Sequence, residues 1–590
     1  MTAHRIALLA LLLAFIGLHG LYNALIPLGE GPDEPGHLAY VLFLLREQRL
    51  PVQASDPAQN EVPGEGHQPP LAYLAALPMT TWLPEQQRQV LLSANPTFFW
   101  AGGADPGAFR RGSREFWPWE GQALAWHLVR AVSGVWGLLT VAAIYLAARR
   151  LRPDDATFAL LAASLTAFNP QFLFITALAS NDGMLAALGA LIVWIGLAPP
   201  GSAALRNGLL LGLLFGIALL TKQSALLFGP LLLWAGWRIS RGNLQQWVLH
   251  TAAWGSLSLL IAGWWFLRNF ELYGDLFGLT KFSAEFTTQP FVWSDPDAWR
   301  DALGQLFSSF WARFGWMSLR PPAWTIWVYV AVCGLAALGW IRALATQSRP
   351  KRHSGWGGPI LLAAMAGLWI VSFALTAGLV AWQGRLLFPA LAGLSLLLAG
   401  GLRTLLPAQA TGLFTLPLLA LAIWMPVGVI RPAYGWDVLR PAEALAARGT
   451  PTYLRFAQSW ERGIELRGWR LDAAPRRGEA LPITFTWHSL EPIPRSWTVF
   501  IHLLDENGQI VAETTGRPRN ETQPFIIWTP GDWVDDQHIL NLPAELAPGT
   551  YTLRVGLFRP EKDGLRHEVY DEQGDKIGDT GDLGQLVIGE

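Results

Sequence analysis

The sequence predicts a polytopic α-helical membrane protein of about eleven transmembrane helices with a C-terminal all-β sandwich domain. Three observations predict it. Only 15% of the 590 residues are charged while 52% are apolar, too little charge for the surface of a soluble chain of this length. Eleven apolar segments meet or approach the roughly 20 helical residues that a hydrocarbon core about 30 Å thick requires. From about residue 432 the apolar runs shorten, and Pro and Gly punctuate segments of strand-like composition.

The apolar segments run approximately over 5–26, 121–148, 156–178, 182–198, 204–220, 223–238, 248–268, 322–343, 358–380, 385–402 and 410–430. Many of the 31 tryptophans fall at their ends, where an amphipathic ring favours the membrane interface. The single cysteine, Cys333, excludes a disulfide framework and a cysteine-ligated zinc site. A net charge of −1 offers no basic face, so no nucleic-acid partner is expected.

The first segment follows Arg5 and is long for a signal peptide, with no small-x-small site after it, so it reads as an uncleaved span. If it starts inside, alternation puts Arg149, Arg150, Arg152, Arg206, Arg238, Arg241, Arg342, Arg349, Lys351, Arg352 and Arg403 in short cytoplasmic loops, as the positive-inside rule requires. The N-terminus is then cytoplasmic and the C-terminus extracytoplasmic. A membrane domain, 1–431, carries two long outer loops at 27–120 and 269–321, and 432–590 forms an extracytoplasmic β-sandwich. In the second loop Trp299, Leu303, Leu306, Phe307, Phe310, Trp311 and Phe314 make one apolar helix face, expected to lie flat on the outer membrane surface or to pack against the spans.

Strand-like segments lie at 480–487, 497–504, 509–515, 537–542 and 550–558, with turn signals at Asp505-Glu506-Asn507-Gly508 and Pro548-Gly549. The tail shows no carboxylate dyad or His cluster, so it is expected to bind or brace. Trp528 and Trp533 could stack on sugar, or serve the sandwich's own packing.

Chemistry concentrates in the first outer loop. Gly31-Pro32-Asp33-Glu34-Pro35-Gly36-His37 sets two carboxylates at the outer face, and Asp33 and His37, four apart, share a helix face. Capping that helix is the plainest role for either acid, since Pro35 suits a first turn. A carboxylate there could equally take a proton from an acceptor hydroxyl. Some thirty residues on, Glu65-Gly66-His67-Gln68-Pro69-Pro70-Leu71-Ala72-Tyr73 repeats acid, imidazole and aromatic. Asp33, His37, Glu65 and His67 could together hold a divalent metal ion, although the spacing matches no strong metal signature. Asn181 and Asp182 are a helix cap or sugar ligands on the same side. Lys222, Arg268 and Arg385 also end on that side, where positive charge is disfavoured, and a guanidinium at 385 matches phosphate oxygens. Asn169-Pro170 marks a kink without an assigned role.

An acidic pair in the first outer loop followed by His67-Gln68-Pro69-Pro70-Leu71-x-Tyr73 resembles the type C (GT-C) glycosyltransferase superfamily, which includes protein O-mannosyltransferases and lipid A aminoarabinose transferases. A closer likeness, over residues 1 to about 430, is to an uncharacterised bacterial branch of predicted membrane proteins. It shares Gly31-Pro32-Asp33-Glu34, Asn181-Asp182, Arg268-Asn269 with Tyr273-Gly274-Asp275, and Gln383-Gly384-Arg385 with Phe388-Pro389. The resemblance implies an inverting transfer from a polyprenyl-phosphate sugar, with Asp33 as base and Glu34 in support. It further implies that His37, Glu65, His67, Gln68, Tyr73, Asn181, Asp182, Lys222, Arg268, Asn269, Gln383 and Arg385 surround the substrates. The acceptor would be a lipid-linked glycan, a polysaccharide or a protein of the cell envelope. The span count, the tail and the acid-pair context depart from the better-known relatives, so neither sugar nor acceptor is carried over. Two further readings stand beside this one: a transporter or flippase of lipid-linked glycans, disfavoured by the near absence of mid-span ionisable residues, and a non-catalytic glycan-binding or assembly protein.

Overall fold

The computed structural model describes residues 3–54, 56–95, 98, 106–278, 291–346, 355–377, 381–458, 461–493, 495, 497–561 and 564–589. Arg349, Lys351 and Arg352 lie outside these residues. The chain forms two compact units: a helical one, Met1–Leu91 with Trp100–Pro106 and Gly121–Ala433, and a β-rich one, Leu92–Phe99 with Gly107–Glu120 and Tyr434–Glu590.

In the helical unit, α1 (Ala3–Leu25) leads to two helices of the 27–120 segment, α2 (Glu34–Glu47) and α3 (Leu71–Ala76), and then to the 31-residue α4 (Gly121–Leu151). Arg149 and Arg150 in its last turn complement the helix dipole. Next come α5 (Ala156–Ala167), α6 (Pro170–Thr176), α7 (Asp182–Gly196), α8 (Ala204–Leu219), a 3-10 turn at Gln223–Phe228, α9 (Gly229–Ile239) and α10 (Leu244–Tyr273). The second outer loop holds α11 (Pro296–Trp311). The unit closes with α12 (Ala323–Thr346), α13 (Gly357–Ala377), a 3-10 turn at Gly384–Ala390, α14 (Leu391–Leu405) and α15 (Ala408–Trp424).

Each apolar segment read from the sequence contains helix. Six helices among the described residues are long and apolar enough to cross a membrane, or seven if the bent pair α5–α6 is one span. Length and composition thus support six or seven crossings of the eleven expected. The segments at 182–198 and 204–220 form short helices, and α7 is buried on nearly every side, as suits a helix at the centre of a bundle. A bend of 61° divides α5 from α6, where Pro170 lacks the N–H that would continue the ladder.

The amphipathic segment of the second loop packs against spans. Asp295 caps α11, and Ala298, Trp299, Ala302 and Leu306 lie with Ile370, Ala374 and Trp382 in one apolar cluster. Helices α12 and α14 meet through glycines: a Cβ on Gly339 would come 1.9 Å from the Gly401 carbonyl oxygen, and one on Gly401 would come 2.0 Å from that of Ala336. Such close backbone approach is how helices gain contact where lipid supplies no hydrophobic drive.

The β-rich unit stacks a six-stranded sheet, in the order β10-β9-β1-β2-β3-β6, with a five-stranded one, β11-β7-β4-β5. The strands are β1 (Thr450–Gln458), β2 (Glu461–Leu471), β3 (Ala480–Ser489), β4 (Thr498–Leu504), β5 (Ile510–Gly516), β6 (Trp533–Asn541), β7 (Gly549–Arg559), β9 (Glu568–Tyr570), β10 (Lys576–Gly578) and β11 (Gly581–Ile588), while a short β8 (Leu565–Arg566) pairs with β7. Inward residues of both sheets, among them Phe456, Phe485, Trp487, Ile501 and Val555, fill one core. Trp528 and Trp533 are 4% and 7% exposed, so both serve packing rather than an open stacking platform.

Residues 107–120 of the first outer loop belong to this unit. Asp437 accepts from Arg110 Nη1 at 2.9 Å and from the Arg111 amide at 2.7 Å, and Asp532 accepts from the Ser113 amide at 2.9 Å. Phe116 packs against the sandwich core.

Replacing Gly401 by Val would force α12 and α14 apart. The expected cost is about 1–3 kcal/mol, read as a lowered thermal midpoint of the detergent-purified protein; an unchanged midpoint would contradict this packing.

Candidate active site

The acid pair at positions 33 and 34 is split by the backbone. Asp33 precedes α2 in the left-handed region, with φ 64°, and this turn sends the two neighbouring carboxylates to different surroundings. Glu34 is wholly enclosed. Its Oε1 accepts from Arg130 Nε at 2.7 Å, Trp126 Nε1 at 2.9 Å and the Ala179 amide at 2.9 Å. Its Oε2 accepts from Arg130 Nη2 at 2.8 Å and the Gly29 amide at 3.1 Å. Arg130, inside α4, is equally enclosed, and its remaining N–H groups go to the carbonyls of Asn23, Ile26 and Pro27. Both side chains are 0% exposed, and every donor of the guanidinium is used.

Asp33 looks the other way. Its Oδ2 accepts from Arg385 Nη2 at 2.5 Å, and its side chain keeps 41% of its surface exposed, against 4% for Asp182 and 8% for Glu65. Lys222 Nζ donates to Asp182 Oδ1 at 2.5 Å, and Arg385 Nη1 lies 3.6 Å from Asp182 Oδ2. Two acids and two bases thus alternate in a chain: Asp33, Arg385, Asp182, Lys222. Gln383 orients the arginine by accepting from its Nε at 2.9 Å. Burial pushes the Asp33 carboxyl up, but Arg385, His37 and Lys222 together outweigh it and hold it below its ordinary value.

Next to this chain lies a second set of polar groups. His37 Nδ1 is 2.9 Å from the Tyr73 hydroxyl and 3.4 Å from Glu65 Oε2, and the Tyr73 hydroxyl reaches the same oxygen at 3.4 Å. Burial, and then the charge on Asp33, hold the Glu65 carboxyl well above its ordinary value. Burial drives His37 down to about 4 and His67 to about 3, Lys222 helping in both against the pull of Asp33. Asn181 Nδ2 approaches Gln68 Oε1 at 3.4 Å and the Tyr73 hydroxyl at 3.5 Å, and Tyr40 stacks on Tyr73 at 4.0 Å. One donor atom from each of Asp33, His37 and Glu65 lies within 4.8 Å of the others, a set whose chemistry suits a divalent ion; His67 stands outside that trio. Each member already has a protein partner, Arg385 for Asp33 and Tyr73 for the other two.

The structure therefore gathers Asp33, His37, Glu65, His67, Gln68, Tyr73, Asn181, Asp182, Lys222, Gln383 and Arg385 at one place. Arg268 does not join the acids. Its Nη2 donates to the Pro51 carbonyl at 2.7 Å, and its guanidinium lies 5.1 Å from the Trp265 ring. Asn269 is buried and ties the end of α10 to the Leu276 carbonyl at 3.2 Å. Arg130 escaped the sequence reading because its apolar neighbours dominate the segment. A lone arginine inside a span always needs a partner, and that was the available signal.

A family model described as dolichyl-phosphate-mannose-protein mannosyltransferase matches residues 125–265, under a quarter of the chain. Among solved structures, ArnT from Cupriavidus metallidurans in the apo state is 17% identical over 78% of this chain and 84% of its own, with a TM-score of 0.35. The same protein bound to undecaprenyl phosphate is 16% identical over the same shares, with a TM-score of 0.34. The arabinofuranosyltransferase AftD from Mycobacteria is 12% identical over 78% of this chain and 30% of its own, with a TM-score of 0.40. At such TM-scores these likenesses carry no argument. No curated protein matches the chain. The matched stretch lies within the helical unit and is similar to that mannosyltransferase family.

Removing one partner of the enclosed pair, by Glu34→Ala or Arg130→Ala, leaves an uncompensated buried charge and is expected to cost about 3–5 kcal/mol. Either variant should show a steep loss of folded, monodisperse protein; wild-type yield and thermal midpoint would contradict a structural pair.

Proposed function

We propose that the chain transfers a sugar from a polyprenyl-phosphate donor to an acceptor hydroxyl on the extracytoplasmic side, with inversion and with Asp33 as the base. The observation that carries the reading is the exposure of Asp33: of the acids gathered here it alone keeps much of its carboxylate open while touching the arginine suited to a phosphate. In the reaction the acceptor oxygen bonds to the anomeric carbon, the carbon–phosphate-oxygen bond breaks, and the acceptor proton passes to Asp33. The leaving polyprenyl phosphate keeps the electron pair. Its charge is met by Arg385 and Lys222, which takes the place of protonation by a general acid.

Arg385 and Lys222 both contact Asp182, so a lipid phosphate entering between them would occupy the position of its carboxylate. Asn181, Gln68, His37 and Tyr73 offer neutral donors and acceptors for sugar hydroxyls, and the low values of His37 and His67 keep both imidazoles uncharged at neutral pH. Glu34 touches none of the open surface. It is a positioning residue, fixing the start of α2 so that Asp33 faces Arg385. The outer location rests on loop charge, which puts the arginine-rich turns on the opposite face. The acceptor class, whether lipid-linked glycan, polysaccharide or protein, follows from the outer side alone.

Asp33→Asn keeps the size and a hydrogen-bond acceptor but loses the base. Transfer from a panel of polyprenyl-phosphate sugars should fall by about 10²–10⁴-fold at an unchanged thermal midpoint. Undiminished transfer by this variant would overturn the assignment of the base.

A further inference from the structure

The break between α5 and α6 reaches the site through α11. Asn169 is 1% exposed and uses its side chain twice. Its Oδ1 caps α6, accepting from the Gln171 amide at 2.9 Å and the Phe172 amide at 3.1 Å. Its Nδ2 donates to the carbonyl of Phe310, near the end of α11, at 3.0 Å. Gln171 adds a second pin by accepting from the Arg313 amide at 2.7 Å.

That end of α11 in turn seats the turn carrying Arg385. The Gly384 amide donates to Ser309 Oγ at 2.8 Å. A Cβ on Gly384 would stand 2.1 Å from the Phe310 nitrogen, so only glycine allows the turn to sit this close. The rings of Phe172, Phe310 and Phe388 fill the junction, with Phe388 centroids 5.5 Å from Phe172 and 6.0 Å from Phe310. One unbroken path of contacts therefore runs from Asn169 through Phe310 and Ser309 to Gly384, next to Arg385, whose guanidinium holds Asp33.

We infer that Asn169 is a positioning residue for Arg385, acting through the end of α11, and that the kink at Asn169-Pro170 exists to present its amide there. The inference rests on the reading above that Arg385 holds the donor phosphate. It separates the two halves of the asparagine: the oxygen serves the local helix, and the nitrogen serves the site.

Asn169→Ser tests it, since serine still caps α6 but has no group to reach the Phe310 carbonyl. Binding of undecaprenyl phosphate to the purified full-length protein is measured for wild type, Asn169→Ser, Arg385→Ala and the double variant, with thermal midpoints alongside. Asn169→Ser should weaken binding roughly tenfold when Arg385 is present and add nothing in the Arg385→Ala background, at a nearly unchanged midpoint. Equal weakening in both backgrounds, or a loss that tracks the midpoint, would mean a purely structural role and overturn the inference. So would wild-type binding by Asn169→Ser where Arg385→Ala binds poorly. Wild-type binding by Arg385→Ala itself would instead overturn the phosphate reading on which the inference stands.

Discussion

The ion pair between Glu34 and Arg130 sits where α1 ends, α2 begins, α4 passes and the α6–α7 turn closes, and it touches all four. Burying either charge alone would cost several kcal/mol. The pair is tolerable because five donors surround the carboxylate and the guanidinium leaves no N–H unused. The rest of the outer face depends on this arrangement. With Glu34 fixed inward, the preceding carboxylate is turned away by a left-handed backbone at Asp33, a conformation that costs a non-glycine residue about 1–3 kcal/mol.

The acids and bases gathered around Asp33 cancel in alternation, and of the four Asp33 keeps the most surface exposed. A bare pair of cations would make a poor resting state beside a membrane, exposed to any anionic headgroup. Here Asp33 pairs with Arg385 and Asp182 with Lys222, so neither cation stands bare. Next to this set, Glu65, His37 and Tyr73 are linked by hydrogen bonds and can each give or accept one.

Much of this was legible in the sequence, for identifiable reasons. Lys222 and Arg385 stand out in the sequence because the predicted topology puts them where basic residues are disfavoured, and the structure brings both to Asp182. Arg268 met the same criterion and goes elsewhere, since loop charge gives the side of the membrane but no direction for a side chain. Adjacency made Asp33 and Glu34 look like one unit; the sign of φ at a single residue, which no composition encodes, decides otherwise. Arg130 lies 96 residues from its partner, and its apolar neighbours hid it. In the tail, β3 to β7 are marked by apolar and β-branched content, whereas β1 and β2 interleave Arg455, Arg467 and Arg470 with their inward residues and carry a weaker strand signal. The number of crossings is the least legible feature, because α7 is as apolar as the six helices long enough to cross a membrane yet is only 15 residues long.

The strap at 107–120, gripped by Asp437 and Asp532, makes the β-rich unit discontinuous in the chain. Its first piece is made about 300 residues before its second, which at about 5–20 residues per second is a wait of roughly 15–60 s. For that interval Arg110, Arg111 and Phe116 have no sandwich to pair with, while the helices between are being inserted. The two pieces can therefore be exchanged between relatives only together, and a tail grafted by itself would arrive without one of its own parts.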